Sequence, residues 1–483
     1  MKRLSLLLFF LSLFSLLYSC KQEENDLIEN SSDLNVHVAN TRTKSKEKGS
    51  LTSYHVTIED VKKYMEINYS GTDYDISPYI NHEDTILYIV NMKNEWMALS
   101  ADRRVVPILA GGSDKFPSLE NKNNYEHITH LNVLINNLSK IKKDEKYENQ
   151  KYTDLWDIIS PSQYKDYKYQ TMTRSGSAKW VIRKFVINTQ LTSQYIPHII
   201  STKWGQGTPW NDSLPQQINP SNSLCKPCPT GCAAVAVAQM FYFMHYDNRF
   251  NKPNRLYTTF SWDTFITSAT SNIHFTKSNP TTSSSRWDSM PLDSINTYGK
   301  NSNYVTDLMM EIGNCLNMEY SLSGSTTQTI YTYTNLQNEF NVSCSCSPYS
   351  ASTVFGYLEN NKPLMVRAGG YDPQYNTTGH AWIIDGARID RTDYTMLCYC
   401  EYTENYASWD EKYDTFEIAR MVYGFESEYD LKPYTNVSPT IDRHLYMNWG
   451  DDGEGDNVWF NTEAPWINND YYFNSNVYLF TFN

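Results

Sequence analysis

Positive charge is in short supply in this chain. Lys and Arg number 41 against 54 Asp and Glu, a formal net charge of −13, and no basic run extends beyond the stretch from Lys140 to Lys146. That balance offers a phosphate backbone no footprint, so nucleic acid is not an expected partner. Internal repeats are absent, and histidine is scarce. Of ten histidines in 483 residues, only His245, His274, His380 and His444 follow Cys232. The apolar run Leu4 to Ser19 is short for a comfortable membrane span. What the chain does hold is aromatic: 38 tyrosines and 12 tryptophans, which suit aromatic cores and adhesive outer surfaces but identify no activity.

The N-terminus reads as an export signal. Met1-Lys2-Arg3 is a basic start, Leu4 to Ser19 an uncharged apolar core, and Leu17-Tyr18-Ser19-Cys20 resembles a bacterial lipobox. That resemblance implies cleavage after residue 19 and a lipid on the Cys20 sulfur, so the expected membrane attachment is a lipid anchor and not a helix. Lys21 to Asp26 resembles the acidic tag of lipoproteins exposed on the outer cell surface. Eight cysteines then remain on the exported side, where disulfides form. Cys225 and Cys228 flank a turn; Cys344/Cys346 and Cys398/Cys400 are spaced to share a strand face, and some bridges among them are expected. Cys225, Cys228 and Cys232 also have spacings seen in metal sites, but no fourth ligand is evident, and neither metal nor cofactor is expected.

The length allows about three domains. Residues 20–50 are polar and read as a flexible tether. Thr57 to Asp60 resembles a capping box, with Val61, Tyr64, Met65 and Asn68 along the helical face that follows. Ile86 to Met92, a turn at Lys93 to Glu95, and Trp96 to Ser100 predict a hairpin, followed by a strand through Val105 to Leu109. The charged stretch from Lys140 to Lys151 and the polar one from Tyr164 to Lys179 mark the expected boundary and cleavage-prone segment. The expected division is a signal at 1–19, a tether at 20–50, a small α+β unit with its processing segment at 51–175, and a larger domain at 185–483.

The chemistry centres on Pro229-Thr-Gly-Cys-Ala-Ala-Val-Ala-Val-Ala-Gln239. A Pro/Thr/Gly turn delivers Cys232 to the start of an apolar helix, where the macrodipole and unpaired N–H groups favour its thiolate. A packed structural cysteine would give the same local pattern, so a base has to be found. His245 is thirteen residues further along the same helix, roughly 20 Å away at the rise of a helix. His274 lies in a Ser/Thr/Asn-rich stretch read as a loop. His380, in Thr378-Gly-His-Ala-Trp-Ile-Ile-Asp-Gly386, has a glycine before it and an apolar strand after it, and is the best base by elimination and context. His444 is the runner-up, with a solvent-facing strand position as its alternative role. Asn448 offers an amide to accept from the base's second ring nitrogen, and Trp449 a ring to shield that bond. Gln206, in Trp204-Gly-Gln206, offers an amide that together with the Cys232 N–H can face an oxyanion.

The order Gln, Cys, His, Asn is that of papain-like enzymes. Trp204-Gly-Gln206, Cys228 to Gln239, Gly379 to Gly386 and Asn448-Trp-Gly450 resemble four blocks of the streptopain family of cysteine peptidases. The stretch from Val56 to Ala110 resembles that family's inhibitory prodomain, and Met318 to Ser325 its substrate-cleft loop. The resemblance implies an α+β fold, a two-lobed papain-like domain preceded by a prodomain. It implies Cys232 as nucleophile, His380 as base, Gln206 as oxyanion donor, Asn448 and Trp449 as positioners, and Ser323 and Gly379 as substrate contacts. The implied partners are protein or peptide substrates and the chain's own prodomain; the implied location is the outer membrane, at the cell surface, with release of the mature domain. Two features depart from the family: Asp451-Asp452 replaces a Trp-Gly pair after Asn448-Trp-Gly450, and Ser213 to Asn222 reads as an insertion. Two other readings stay open on sequence: a catalytically silent surface binding protein, and an amidase or transpeptidase using the same dyad.

Overall fold

A computed structural model of the chain describes residues 54–81, 84–113, 116, 129–159, 179–212, 214–218, 225–261, 274–281, 284–294, 300–327, 333–370, 378–403, 431–434, 437–453, 458–464 and 475–483. The expected signal, Cys20 and the tether lie outside these residues, as does nearly all of the polar segment 164–179. Among the described residues no helix is long and apolar enough to cross a membrane.

Local signals build the N-terminal region. Thr57 caps the helix Ile58–Asn68: its Oγ1 accepts from the Asp60 N–H at 3.2 Å, and Asp60 Oδ2 accepts from the Thr57 N–H at 2.8 Å. Val61, Tyr64 and Met65 are buried as expected, with Ile67 beside them. Asn68 is only half-buried, its amide turned back onto the Tyr64 carbonyl. Four strands follow as an antiparallel meander: β1 (Asp75–Asn81), β2 (Asp84–Asn91), β3 (Glu95–Ser100) and β4 (Ile108–Ser113). β2 and β3 are the expected hairpin. β4 starts later than Val105 because a turn from Asp102 to Val105 takes up the preceding residues. β1 carries little apolar signal, being half-exposed or exposed throughout, and it tolerates Pro78 as an edge strand does.

The charged stretch at 140–151 is no linker. Lys140, Lys142 and Lys143 close the helix Thr129–Lys143, where the dipole favours cations, and a second helix, Gln150–Ile159, follows at once. β5 (Lys179–Ile196) is continuous, so the expected domain start at residue 185 falls inside a strand.

Downstream, β6 (Gln216–Ile218), within the insertion-like stretch, and β7 (Cys225–Pro227), just after it, form a small hairpin. The helix Cys232–Tyr246 follows, then a ribbon of β8 (Arg255–Ser261) and β9 (His274–Thr281), which places His274 on a strand and not in a loop. The short helix Ser284–Trp287 and the helices Ser302–Cys315 and Tyr333–Phe340 complete a helical lobe around Cys232–Tyr246. That central helix is apolar on nearly every side, which suits burial in the middle of a lobe.

The second lobe is sheet. It comprises β10 (Cys344–Pro348), the helix Ala351–Glu359, β11 (Leu364–Gly370), β12 (Thr378–Thr403), β13 (Lys432–Tyr434), β14 (Thr440–Asn448), β15 (Val458–Asn461) and β16 (Ser475–Phe482). Among the described residues twelve strands form one sheet, in the order β1-β2-β3-β4-β15-β14-β12-β11-β16-β10, with β5 and β13 also on β12. The join is β4 against β15, where Gly111 faces Trp459. A Cβ at Gly111 would lie 2.2 Å from the indole, so only glycine lets these strands pair. The N-terminal region and the sheet lobe also share cores: Leu109 and Leu134 cluster with Trp382, Leu445 and Trp449, and Val56 and Trp156 with Val186 and Trp459.

The disulfide expectation is corrected for the described side chains: none of Cys225, Cys228, Cys232, Cys315, Cys344, Cys346 and Cys398 is in a disulfide, and Cys400 lies outside the described side chains. β10 and β12 have β11 and β16 between them, which separates their cysteines by about 14 Å, beyond disulfide reach.

Candidate active site

Gly231 makes the turn into the nucleophile helix. It sits at φ 87°, and a Cβ there would press on the Met318 side chain and the Ser325 carbonyl at 3.0 Å. Cys232 is the first helical residue and half-buried. On the facing lobe, β12 carries His380 beside Ala368 of β11. The two side chains are hydrogen-bonded to each other. Burial by itself pushes the Cys232 thiol up, but the charge and hydrogen bond of His380, with the N–H groups of Ala381 and Ala233, outweigh it and hold the thiol below its ordinary value. Burial likewise opposes the charged imidazole. The Cys232 charge and hydrogen bond, Asp451, and the Trp449 carbonyl outweigh that and raise His380 above its ordinary value. The arrangement is that of a thiolate and imidazolium pair, able to attack a carbonyl and then supply a proton.

The ring of His380 is oriented by a backbone group. The Trp449 carbonyl favours its protonated form, and the Trp449 indole lies 5.9 Å away at 24°. The expected contact from Asn448 to this ring is not made. Asn448 is buried, and its Oδ1 accepts from Gln239 Nε2 at 3.0 Å and from the Gly450 N–H at 3.2 Å, while Nδ2 donates to the Thr202 carbonyl at 3.1 Å. Its amide therefore moors the loop that carries the Trp449 carbonyl. Gln239 is fully buried on the nucleophile helix, and its Oε1 also accepts from Thr202 Oγ1 and the Trp204 N–H. One amide thus ties the Cys232 helix, the Trp204 segment and the Asn448 loop together. Sequence reading passed over Gln239, though it is the lone amide in the apolar run from Ala233 to Met244.

Gln206 is half-buried, with its carbonyl accepting from the Thr230 N–H at 3.0 Å, which fixes it against the turn before Cys232. Asp452, which sequence reading recorded only as a departure, is held on both carboxylate oxygens, by Trp210 Nε1 at 2.9 Å and by Ser294 Oγ at 2.7 Å. Its backbone is close enough to Gly205 that a Cβ there would lie 2.8 Å from the Asp452 nitrogen. Trp382 was likewise overlooked; it stacks on His380 at 5.8 Å and 16°.

Ser323 and Gly379 are exposed. Ser323 bonds with Ser321 Oγ at 2.9 Å, and its loop reaches the nucleophile turn through Ser325, whose hydroxyl donates to the Pro229 carbonyl at 2.5 Å. Gly379 pairs with Gly369 next to the dyad. Neither alternative histidine comes to the site. His245 stacks on Trp287 at 4.7 Å. His444 is fully buried, against the expectation of a solvent-facing strand, with Nε2 3.2 Å from Asp390 Oδ2. Among the described residues no group of three or more His, Cys, Asp or Glu is placed to hold a metal.

Comparison with curated proteins gives no match. Among solved structures the chain is similar to a fragment of prointerpain A from Prevotella intermedia carrying a cysteine-to-alanine substitution, at 16% identity and a TM-score of 0.46, over 84% of this chain and 98% of that one. It is also similar to the active wild-type interpain A cysteine protease of that organism, at 18% identity and a TM-score of 0.36, over 59% and 94%. The sequence profile of the peptidase C10 family matches residues 204–460, more than half of the chain and every block from Trp204-Gly-Gln206 to Asn448-Trp-Gly450. The chain belongs to the peptidase C10 family and is a cysteine-type peptidase.

Proposed function

We propose that this peptidase is an endopeptidase made as a surface-anchored zymogen. The observation that carries the catalytic part is the hydrogen-bonded pair of Cys232, held low, and His380, held high. The Cys232 thiolate adds to the carbonyl carbon of a peptide bond, forming a C–S bond while the carbonyl oxygen takes the negative charge. The Cys232 N–H and the Gln206 amide donate to that oxygen. His380 gives its proton to the leaving amine as the C–N bond breaks, leaving a thioester. A water then attacks the thioester as His380 takes its proton, and the carboxylic product and the thiolate are released. Asn448 acts through the loop it moors, and Trp449 through its carbonyl and its ring; Ser323 and Gly379 border the path of the substrate backbone.

The zymogen part rests on the prodomain resemblance of Val56 to Ala110 and on the sheet these residues share with the peptidase through β4 and β15. The core that contains Leu109 also contains Trp382 and Trp449, the two indoles against His380. Displacing the N-terminal region therefore changes the packing behind the base. Anchoring rests on the Cys20 lipobox: labelled palmitate should enter the exported protein and be absent after Cys20→Ala.

The test of the catalytic reading is casein hydrolysis by the purified chain with and without an irreversible thiol blocker such as E-64. Activity should vanish with the blocker and with Cys232→Ala, whereas Cys225→Ala and Cys228→Ala should cost much less. Casein cleavage by Cys232→Ala at near wild-type rate rejects the assignment.

A further inference from the structure

Phe460 lies between the N-terminal region and the base. It is buried on β15, with Ala110 of β4 beside it on one flank and Leu445 of β14 on the other. The same row continues to Ala98 of β3 and to Ala387 of β12. Residues paired across a sheet share a face, and these five belong to one core with Trp382 and Trp449. The Phe460 ring meets the Trp449 indole edge-on, at 5.7 Å and 87°. Trp449 in turn stacks on His380, as does Trp382, and the two indoles lie 5.1 Å apart.

Alanines along this row leave the phenylalanine ring a defined slot. The N-terminal region puts only the Ala110 methyl beside it, and in a close-packed interior a change of even one methylene is felt by the neighbours. The Trp449 indole is gripped by the Phe460 edge and by the Trp382 ring, so a shift of Phe460 frees it to tilt. The same residue supplies the carbonyl that favours the His380 proton, and His380 is what holds the Cys232 thiol low. Among the described strands β15 is bonded to β4 and β14, so without β4 it keeps β14 alone and becomes an edge.

We infer that Phe460 is a positioning residue that relays the state of the β4–β15 junction to His380 through the Trp449 indole. The inference rests on the peptidase reading and adds a route by which the N-terminal region acts on the base. That route needs no contact between the N-terminal region and the cleft: it runs from the Ala110 methyl to the Phe460 ring, from that ring to the Trp449 indole, and from the indole to the imidazole.

The test follows alkylation of Cys232 by iodoacetamide against pH in the full, uncleaved chain, read by the mass of the Cys232 peptide. Its midpoint reports how firmly His380 holds the thiolate. The charged groups facing this pair are Arg367 from β11 and Asp451 from the loop after Trp449, and the variants leave both in place. Phe460→Leu should raise the midpoint by about half a pH unit or more, about threefold in the equilibrium, while Phe460→Tyr, which keeps the ring, should stay near the wild type. Ala110→Val, in the N-terminal region, should also raise the midpoint by pressing on the ring. Added to Phe460→Leu, where the slot is wider, it should add little. An unmoved midpoint in folded Phe460→Leu, or equal shifts in the Leu and Tyr variants, overturns the positioning role. Strictly additive shifts in the double variant overturn the link to the N-terminal region. If the Leu or Val variant does not fold, the milder Phe460→Met and Ala110→Gly are read in their place by the same criteria. Alkylation needs no turnover, so absence of casein cleavage in a chain that shows these shifts bears on the peptidase reading alone.

Discussion

The Trp210 indole donates to Asp452 Oδ1 at 2.9 Å, joining the segment that carries Gln206 to the loop that carries the Trp449 carbonyl. Asp452 and Gly450 both sit at positive φ, 57° and 74°, so the loop is a bent backbone held in shape by side-chain contacts. Here a carboxylate provides the brace.

Removing that brace should loosen the base. Asp452→Ala is expected to lower kcat by about 10- to 100-fold, the scale on which small misplacements of a catalytic group act, with a smaller change in KM. Asp452→Asn keeps an acceptor for Trp210 and should recover most of the rate. Equal kcat in the wild type and Asp452→Ala would show that the brace is dispensable.

The dyad sets the pH profile. The active pair needs Cys232 ionised and His380 protonated; the first is held below the ordinary thiol value and the second above the ordinary histidine value. Activity should therefore rise on the acid side at a pH below the usual thiol range. It should fall on the alkaline side at a pH above the usual histidine range, both limbs belonging to the pair. Asp451 helps hold the His380 proton, so Asp451→Asn should move the alkaline limb to lower pH. A limb that moves up, or does not move, contradicts this role.

Gln239 is expected to matter for stability and rate together. Gln239→Leu leaves Asn448 Oδ1 with the Gly450 N–H alone and the Trp204 N–H without its acceptor, a loss of about 1–3 kcal/mol for a buried polar group left unpaired. Denaturant midpoints should fall accordingly. Activity should drop at temperatures where the variant is still fully folded, because the Trp449 carbonyl is no longer fixed. Wild-type kinetics in the folded variant would separate the two effects.

At the sheet junction, Gly111→Ala places a methyl into the Trp459 indole. Overpacking of this kind costs about 1–3 kcal/mol, and it falls on the β4 and β15 pairing. Limited proteolysis should release the N-terminal region faster, and the full-length variant should show more hydrolysis before processing. Identical latency and proteolysis in the two proteins would mean that this junction does not hold the zymogen.

Maturation is checked by the N-terminus of the active species. It should start about 150 residues beyond the signal, and in Cys232→Ala the precursor should accumulate unless another protease acts. An active chain that begins before residue 140 with the N-terminal region attached refutes the propeptide assignment.

Local motifs, together with the resemblance of their blocks to the streptopain family, pointed to the chemistry. A cysteine after Pro-Thr-Gly at the head of an apolar helix is a local statement about dipole and turn, and so are the capping box at Thr57 and the hairpin around Lys93. Elimination among four histidines singled out His380 because so few were available. What local sequence does not encode is which side chains meet across lobes. Asn448 looked like the partner of the His380 ring, but it is the Trp449 carbonyl that favours the ring's proton, since any residue presents a carbonyl and only the loop path decides which one arrives. Gln239 and Asp452 have no role that can be read from their local sequence; each gains meaning from contacts with residues far away in the chain. The same holds for the sheet. β4 and β15 lie more than 300 residues apart, and their pairing depends on Gly111 having no side chain opposite a tryptophan, a condition visible only once the two strands are side by side.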